Sequence, residues 1–327
     1  MGYIEKSGKA NHIMNYIVID LEWNQPGKNN SDGDLLFEVI EIGAVKLDEN
    51  MKKTGTYQRL IKPTLYKKIH SIITNITGLR DEDFKYEKDF KYVIKEFLKW
   101  CGEDYIICTF GGQDIYELEC NMKYHGCDIP WQFPFKYIDV QRVFSIKNND
   151  EGEQKSLEAV VKFYNIRQKN VYHRALGDAT YTAEILKMLD KEDIEKYLSL
   201  EHFNLPQSKR EEKEINLGTH LEYLSQEYAE KEVLLQNPNI YITRCMECGR
   251  KCRKKIKWFS DTAKYMCISK CEQHGFIQGV LTVKKTYGHN GYYAIRKVYM
   301  ADDDKVQTVI DRKEVLREKR RQKRHNK

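Results

Sequence analysis

A run of strand-forming residues near the start of the chain, in the sequence YIVIDLEW (residues 16–23), ends in two carboxylates. Its apolar half is rich in β-branched residues and predicts a buried strand. Residues two apart on a strand point to the same face, so Asp20 and Glu22 project side by side at the strand end. Adjacent carboxylates near a buried sheet repel each other unless a cation compensates them. The pattern therefore predicts a core strand that ends at a cation site.

The segments that follow alternate between strand and helix patterns. Residues 38–47 and 56–61 predict a hairpin, because the Asp48, Glu49 and Asn50 stretch between them has turn chemistry. Further strands are expected at 105–110 and 136–140, and helices at 89–100, 113–124, 156–164 and 174–189. A hairpin followed by alternating helices and strands predicts an α/β fold, with a mixed sheet flanked by helices.

The charge distribution divides the chain into two parts. The net charge is +6, but residues 1–243 carry 32 Lys and Arg against 40 Asp and Glu, so the remaining residues carry 23 against 9. This asymmetry predicts a cation-binding front and a polyanion-binding back. No apolar run approaches the ~18 residues of a membrane span. The first 15 residues also lack the apolar stretch of a signal peptide, so a cytoplasmic location without membrane attachment is expected.

Composition also predicts where the domains begin and end. The segments 206–218 and 219–236 are strongly charged, and the second has helical spacing with Thr219 as its cap. The expected order is an N-terminal extension at 1–14, an α/β domain at 15–190, a charged helical linker at 191–240, a small β-rich module at 241–300 and a disordered basic tail at 301–327.

Two later stretches supply partners for Asp20 and Glu22. In ICTFGGQDIYEL, a β-type run ends at a glycine pair and Asp114 follows at the start of a helix. In YHRALGDATYTAEIL, Asp178 lies five residues after His173, at the edge of a packed helix face. Taken singly, each residue also fits a helix cap or a solvated surface position. Taken together, they favour a catalytic site with Mg²⁺ or Mn²⁺, which prefer oxygen ligands.

The stretches IDLEW, FGGQDIYEL and HRALGDA, in this order, resemble the three motifs of the DEDD family of 3′–5′ exonucleases. His173 corresponds to the histidine of the DEDDh branch. EVIEIGAVKL and NITGL also resemble the second strand and a following loop of that family. The resemblance spans residues 15–190 and implies a ribonuclease-H-like fold.

The resemblance implies two Mg²⁺ or Mn²⁺ ions held by Asp20, Glu22, Asp114 and Asp178, with His173 as the general base. It implies release of nucleoside 5′-monophosphates from the free 3′ end of single-stranded RNA or DNA, with RNA favoured. The rival interpretations are a non-catalytic nucleic-acid-binding protein on the same scaffold and a metal-dependent endonuclease. The presence of all five residues favours the exonuclease over the non-catalytic protein.

Five of the nine cysteines lie between residues 245 and 271, a density that indicates metal binding in a reducing compartment. A C-x2-C knuckle and a C-x2-H knuckle predict one structural Zn²⁺ ion in a zinc-ribbon-like module. The predicted ligands are Cys245, Cys248, Cys271 and His274. Cys252 and Cys267 are spare, and either is an alternative to Cys271. The four remaining cysteines, Cys101, Cys108, Cys120 and Cys127, are expected to be small buried hydrophobes.

Basic and aromatic residues surround these cysteines. Cations bind phosphates and rings stack on bases, so we expect the module to hold nucleic acid while the first domain trims it. The residues concerned are Arg250, Lys251, Arg253, Lys254, Lys255, Lys257, Trp258, Phe259, Lys264 and Tyr265. The alternative is an ordinary solvated surface. The basic tail is expected to add attraction that does not depend on sequence.

Overall fold

The computed structural model describes residues 15–26, 35–148, 154–168, 172–289 and 291–325. The predicted N-terminal extension at 1–14 lies outside these ranges. The chain divides into two compact units, the first comprising residues 1–130 and 136–201 and the second residues 131–135 and 202–327. None of the helices in the described ranges has the length and hydrophobicity that a membrane crossing requires.

A six-stranded mixed sheet forms the centre of the first unit. Its strands are β1 (Asn15–Asn24), β2 (Glu38–Leu47), β3 (Lys53–Leu60), β4 (Tyr105–Thr109), β5 (Lys136–Asp139) and β6 (Ser199–Leu200). Their order across the sheet is β3-β2-β1-β4-β5-β6. β1 pairs antiparallel with β2 and parallel with β4, so it lies inside the sheet and both of its hydrogen-bonding edges are paired.

In the described residues, seven α-helices accompany this sheet. They are α1 (Ser71–Thr77), α2 (Phe90–Cys101), α3 (Gln113–Tyr124), α4 (Val140–Lys147), α5 (Leu157–Phe163), α6 (Ala175–Met188) and α7 (Lys191–Lys196). Side chains from β1, β2, β4 and helices α4 to α6 form one buried core, in which Val18, Val45, Phe144 and Ala179 are fully or almost fully buried. This core fixes the strand ends that carry the acidic residues.

The second unit contains an antiparallel sheet of six strands in the order β7-β8-β12-β11-β10-β9. The strands are β7 (Glu214–Asn216), β8 (Leu221–Leu224), β9 (Arg253–Asp261), β10 (Lys264–Cys271), β11 (Gly275–Lys285) and β12 (Tyr292–Ala301). The α-helices that accompany it in the described part of the chain are α8 (Lys231–Gln236) and α9 (Asp303–His325). The β-rich character predicted for residues 241–300 is present in β9 to β12.

The predicted helix at 219–236 and the linker around it are wrong in part. Residues 221–224 form strand β8, which pairs with β12 in the second sheet, and only 231–236 are helical. Strand β7 also lies in the segment predicted as linker. All four residues of β8 are buried, and so short an apolar run does not distinguish a buried strand from a helix.

The basic C-terminal segment is a helix in the described residues, whereas its run of like charges predicted disorder. Helix α9 buries Val309, which is 2% exposed, and Arg312 forms a bidentate ion pair with Asp261 of β9 at 3.0 and 2.7 Å. Lys, Arg and Glu are good helix formers, and Asp303 and Asp304 lie favourably at the positive end of the helix dipole. These anchors offset the repulsion among the basic side chains.

Candidate active site and metal centres

Strand β1 and its neighbour β2 bring the first acidic pair beside the start of helix α6. Asp20 lies opposite Gly43 in the β1–β2 ladder. A Cβ atom on Gly43 would lie 2.1 Å from the backbone carbon of Ala175, so only glycine lets α6 approach the sheet this closely. The close approach brings Asp178, in the first turn of α6, next to the carboxylates of β1.

Three of the four predicted acidic ligands converge. One oxygen each of Asp20, Glu22 and Asp178 lies within 4.8 Å of the others. The peptide N–H of His173 donates to Asp178 Oδ2 at 2.9 Å, while Asp178 Oδ1 is buried and has no hydrogen-bond partner among the described residues. A buried carboxylate oxygen without a partner is costly, and a cation would satisfy it. The donor set therefore fits a divalent metal ion.

Asp114 lies beside the same strand but outside this group of three. Its Oδ1 accepts a hydrogen bond at 3.1 Å from the peptide N–H of Leu21, between Asp20 and Glu22. The glycine pair before it makes the turn from β4 into α3 possible: Gly111 has a φ of 97°, and a Cβ on Gly112 would lie 2.6 Å from the Tyr137 hydroxyl oxygen. The structure thus explains the FGG sequence that precedes Asp114.

His173 precedes helix α6 and has an exposed side chain. Its backbone φ is 60°, in the left-handed region that non-glycine residues rarely adopt. This conformation accompanies the hydrogen bond from its N–H to Asp178. Burial raises the pKa of Asp178 overall, and the charge of His173 opposes that change. The imidazole therefore lies within electrostatic reach of the Asp178 carboxylate.

Burial and mutual repulsion raise the pKa values of all four carboxyl groups. Burial is the largest cause of the raised pKa of Asp20, followed by the charges of Asp114, Asp178 and Glu22. The same two causes raise the pKa of Glu22 to about 8. Burial raises the pKa of Asp114 to about 7, although the hydrogen bond from Leu21 opposes the change. The pKa of Asp178 is raised mainly by burial. Without a cation, this cluster resists ionisation.

An ion pair that the sequence analysis missed lies next to these carboxylates. Glu41 is fully buried opposite Glu22, and its two oxygens accept hydrogen bonds from Nε and Nη2 of Arg174, both at 3.0 Å. Arg174 also lowers the pKa of Glu22, against the other influences. Arg174 stands within the HRALGDA stretch, directly after His173. The position of Arg174 in this stretch was visible in the sequence. Its pairing with Glu41 could not be predicted, because it depends on the register between β1 and β2.

In the second unit, all four predicted zinc ligands converge. The potential ligand atoms of Cys245, Cys248, Cys271 and His274 lie within 4.8 Å of one another. His274 Nδ1 lies 3.4 Å from Cys245 Sγ and 3.6 Å from Cys271 Sγ, and the Sγ atoms of Cys248 and Cys271 lie 3.7 Å apart. Three sulfur atoms and one imidazole nitrogen are the donor set of Cys₃His structural zinc sites, so this group could hold a zinc ion.

Tight turns form both knuckles. In the first, the N–H of Gly249 donates to the carbonyl oxygen of Cys245 at 2.9 Å, and Gly249 has a φ of 66°. In the second, Cys271 pairs with Gly275, whose φ is 88°. Peptide N–H groups of Gln273 and His274 lower the pKa of Cys271 to about 6. The turns therefore stabilise the thiolate, which is the metal-binding form of cysteine.

The two spare cysteines do not join the group of four. Cys252 packs in the same small core, and its Sγ lies 3.4 Å from the carbonyl oxygen of Arg250. Burial, with the nearby cysteines, raises its pKa to about 12. Cys267 is fully buried, and burial raises its pKa to about 11. Both environments favour the neutral thiol.

The surface near the Cys₃His cluster is basic, but the indole ring of Trp258 is not available for stacking on a base. Lys254, Lys255 and Lys257 are exposed on the edge strand β9. Trp258 instead packs with Tyr265 against the core of the second unit and donates a hydrogen bond at 3.0 Å to the carbonyl oxygen of Tyr241. The predicted contribution of Trp258 to base stacking is therefore not supported by its packing.

Comparison with protein families identifies the first unit. The family model RNase_T, described as "Exonuclease", matches residues 17–186, slightly more than half of the chain. The matched region contains Asp20, Glu22, Asp114, His173 and Asp178. The fold and this match define an exonuclease, and the chain belongs to this exonuclease family. The predicted enzyme class, a hydrolytic 3′–5′ exonuclease, is confirmed at this level.

Curated relatives match slightly more than half of the chain. The probable 3′–5′ exonuclease KapD of Bacillus subtilis (strain 168) is 26% identical over 188 residues, which are 55% of this chain and 87% of KapD. The DNA polymerase III subunit epsilon of Aquifex aeolicus (strain VF5) is 27% identical over 188 residues, covering 54% of this chain and 81% of that protein. Each match thus spans more than four fifths of the relative and just over half of this chain.

Two solved structures share the fold of the first unit. The nuclease domain of 3′hExo, a DEDDh family member bound to rAMP, has a TM-score of 0.51 and 17% identity, and the match covers 58% of this chain and 98% of that domain. A 3′-exonuclease structure that describes 3′-end specific recognition of a histone mRNA stem-loop has a TM-score of 0.50 and 18% identity, with 60% and 88% coverage. The predicted ribonuclease-H-like mixed sheet is confirmed.

Proposed function

We propose that the chain is a metal-dependent 3′–5′ exonuclease that releases nucleoside 5′-monophosphates from a single-stranded nucleic acid with a free 3′ end. The observation that carries this proposal is the convergence of Asp20, Glu22 and Asp178, whose oxygens lie within 4.8 Å of one another. Asp178 Oδ1, buried and without a partner among the described residues, supports a ligand role. Like charges gathered at a strand end are costly unless cations bind there.

Asp20, Glu22, Asp114 and Asp178 would hold two Mg²⁺ or Mn²⁺ ions. Such ions stabilise the attacking and leaving oxygens of an in-line displacement at phosphorus. The chain itself orients the ligands, since the N–H of Leu21 holds Asp114 and the N–H of His173 holds Asp178. These backbone contacts leave one oxygen of each aspartate for coordination.

His173 is the proposed general base, which accepts a proton from the attacking water. Imidazole is the side chain that most often accepts a proton in catalysis near neutral pH. The side chain of His173 is exposed, so the proton can pass on to solvent. Replacing it, as His173→Asn, should lower kcat by ~100-fold or more, the scale of a lost general base. Unchanged kcat and an unchanged pH–rate profile would contradict this role.

RNA is the favoured substrate. The support comes from fold neighbours, one a nuclease domain bound to rAMP and one a 3′-exonuclease with a histone mRNA stem-loop. A DNA polymerase subunit stands among the curated relatives, so DNA requires an equal test.

The decisive experiment incubates the full chain with single-stranded RNA and DNA, each labelled at the 3′ end, in Mg²⁺ or Mn²⁺. We expect release of labelled mononucleotide that stops in EDTA and is lost in Asp20→Ala. Absence of release on both substrates would favour a non-catalytic binding protein. Cleavage of circular substrates would indicate an endonuclease. Full activity of Asp20→Ala would reject the proposed site.

We also propose that Cys245, Cys248, Cys271 and His274 hold one structural Zn²⁺ ion. Four protein ligands fill a tetrahedral site and leave no open position for a substrate or a water molecule. Purified protein should therefore contain close to one zinc per chain, measured by elemental mass spectrometry. Cys248→Ser should lose most of this zinc, whereas Cys252→Ser should retain it. Zinc-free wild-type protein would refute the assignment.

The second unit is proposed to add nonspecific attraction for nucleic acid. Lys254, Lys255 and Lys257 are exposed on β9, and the basic helix α9 is pinned to the same strand by the Arg312–Asp261 ion pair. Lysines of this kind bind phosphates by counterion release. Changing the three lysines to glutamine should reduce the salt dependence of binding. An unchanged salt slope would leave these lysines as an ordinary solvated surface.

A further inference from the structure

A loop of the first unit, residues 62–70 between β3 and α1, is unusually rich in exposed lysine. Lys62, Lys67 and Lys68 are all exposed, and we call this segment the lysine loop. It lines two adjoining cavities of about 370 and 420 Å³, both of which Lys67 borders. A fourth lysine, Lys85, borders the first cavity.

The lysine loop lies close to the acidic strand. The second cavity is also lined by Gln25, three residues beyond Glu22 in the chain. At ~3.3 Å per residue, this cavity begins on the order of 10 Å from the carboxylates. Lysines that line a cavity beginning this near the acidic side chains offset a field that would otherwise repel a polyanion.

A buried glutamate fixes the first half of the lysine loop. Glu38 of β2 is 2% exposed and accepts hydrogen bonds from the N–H groups of Thr64, Leu65 and Tyr66 at 2.6, 2.8 and 2.7 Å. A carboxylate that accepts three peptide N–H bonds holds the backbone in one conformation. Hydrogen bonds to strand β2 therefore hold the backbone of the loop in place on the sheet.

A buried asparagine fixes the second half from the acidic strand itself. Asn24, fully buried at the end of β1, donates to the carbonyl oxygens of Tyr66 and Lys68 at 3.0 and 2.9 Å. Its own oxygen accepts from the N–H of His70 at 2.9 Å. The strand that carries Asp20 and Glu22 thus also sets the position of the lysines, and a preorganised loop loses little entropy on binding.

Exposed aromatic rings lie beside neighbouring lysines. The ring of Tyr86 is 85% exposed, with Lys85 Nζ 5.2 Å from its centroid. Tyr92 is 56% exposed, with Lys88 Nζ 5.6 Å from its centroid. The N–H of Lys62 donates to the carbonyl oxygen of Lys88 at 2.8 Å, which ties this segment to the lysine loop. Alternating cations and rings are the features that hold single-stranded nucleic acid without sequence preference.

We propose that the lysine loop binds the phosphodiester backbone of the substrate strand, upstream of its 3′-terminal nucleotide. The inference rests on the proposed function, since it requires a strand whose 3′ end lies at the carboxylates. Lysine contacts phosphate as a point charge and does not read bases. The loop would therefore let any sequence advance as nucleotides are removed.

Binding is measured in the inactive Asp20→Asn background, by fluorescence anisotropy of a 5′-labelled eight-nucleotide strand in EDTA. The test variant adds Lys67→Gln and Lys68→Gln. The control adds Lys95→Gln and Lys99→Gln, the same charge change on exposed positions of helix α2. We expect about tenfold weaker binding and a log–log salt slope smaller by ~1.4 for the test variant, since each phosphate contact on a single strand contributes ~0.7. Equal losses in test and control variants would overturn the proposal.

A second measurement separates this inference from the proposed function. In the active background, kcat/KM is compared for an eight-nucleotide strand and a dinucleotide, which is too short to reach the loop. We expect the advantage of the longer strand to shrink in Lys67→Gln/Lys68→Gln and to persist in the control. An unchanged advantage would overturn the subsite. Absence of hydrolysis in the wild type, with lysine-dependent binding retained, would overturn the catalytic proposal and support the binding site.

Discussion

The two ligand clusters of this molecule rest on different kinds of support. Asp20 and Glu22 lie at the end of a strand whose apolar half belongs to an extensive buried core, and the carboxylates themselves are only half-buried. Cys245 and Cys271, by contrast, are themselves members of a small hydrophobic core. The acidic cluster is therefore attached to a large core that does not include it. The cysteine cluster, in contrast, is part of the small core that a bound metal ion would stabilise.

This difference agrees with the two roles that we propose for metal ions. Hard oxygen ligands on a preformed sheet suit ions that bind together with substrate and act in chemistry. Soft sulfur ligands on two knuckles suit an ion that links segments far apart in the chain and stabilises the folded unit. Removing ions should therefore destabilise the second unit and spare the fold of the first.

The largest expected effect is the loss of zinc from the second unit. We expect Cys248→Ser, or chelation of the wild type, to destabilise residues 243–298 by about 4 kcal/mol or more, as for a ligand present at ~1,000 times its Kd. Hydrogen exchange with mass spectrometry measures this loss peptide by peptide. Cys252→Ser is the matched control, because its thiol lies in the same core but outside the four ligands. Equal deprotection by both substitutions would contradict a metal role.

The next effect tests the approach of helix α6 to the sheet. Gly43→Ala would place a Cβ 2.1 Å from the backbone of Ala175, so we expect a loss of about 3 kcal/mol and of nuclease activity. Urea denaturation and the mononucleotide assay measure the two losses. Gly55→Ala on β3 is the control, since its nearest neighbour, Trp100, lies at an ordinary 3.5 Å. A tolerated Gly43→Ala would show that α6 can move without cost to the site.

The comparison also separates what the sequence predicts from what it leaves open. Apolar periodicity and turn chemistry are local signals, so they predicted strands β1 to β5 and helices α2, α3, α5 and α6, whereas α1, α4 and β6 were not predicted. Of the four acidic residues predicted to meet, Asp20, Glu22 and Asp178 lie within 4.8 Å of one another and Asp114 lies outside this group. Knuckle spacing likewise predicted the four-residue cluster of the second unit. In both cases, residue type and spacing restrict the chemistry strongly.

Features that depend on register or on distant packing were missed. The Glu41–Arg174 ion pair forms because β1 pairs with β2 and α6 packs against these strands. Neither residue, taken alone in the sequence, predicts the contact. Asn24 and Glu38 hold the lysine loop through contacts with its main chain, which leave no pattern in the sequence. The prediction of a helical linker was wrong for the same reason, because residues 221–224 form a strand only by pairing with β12, which is distant in the sequence.

A buried carboxylate of the second unit gives a smaller, pH-dependent effect. Glu222 accepts hydrogen bonds from His202 and His220 at 2.6 and 3.0 Å. Although burial opposes it, these contacts and Lys297 hold the pKa of Glu222 well below its usual value. Because the folded-state pKa of Glu222 is depressed, its carboxylate stabilises the fold at pH values above the ordinary carboxyl pKa of ~4.3. This stabilisation is lost as the pH falls through the folded-state pKa.

Glu222→Gln should therefore lower the free energy of unfolding by about 2 kcal/mol at pH 7, the scale of hydrogen bonds to a charged group. The difference from the wild type should shrink as urea denaturation is repeated at lower pH. Glu232→Gln, at an exposed position of α8, is the control for the lost charge and should have little effect. A difference that grows with acidity would contradict the assigned sign.

The smallest effect has the opposite sign and bears most directly on the contrast between the clusters. Burial and the neighbouring acidic groups raise the pKa of Asp20, so at pH 7 without a cation the fold must either protonate this group or keep it charged, and both cost folding free energy. Asp20→Asn removes that cost, and in EDTA at pH 7 it should stabilise the protein by about 1 kcal/mol, a typical coupling between neighbouring groups. Thermal unfolding measures the change. Added Mg²⁺ or Mn²⁺ should raise the Tm of the wild type more than that of the variant, because only the wild type has the full carboxylate set. A destabilised variant in EDTA would mean that the fold of the first unit, like that of the second, depends on its ligand residues.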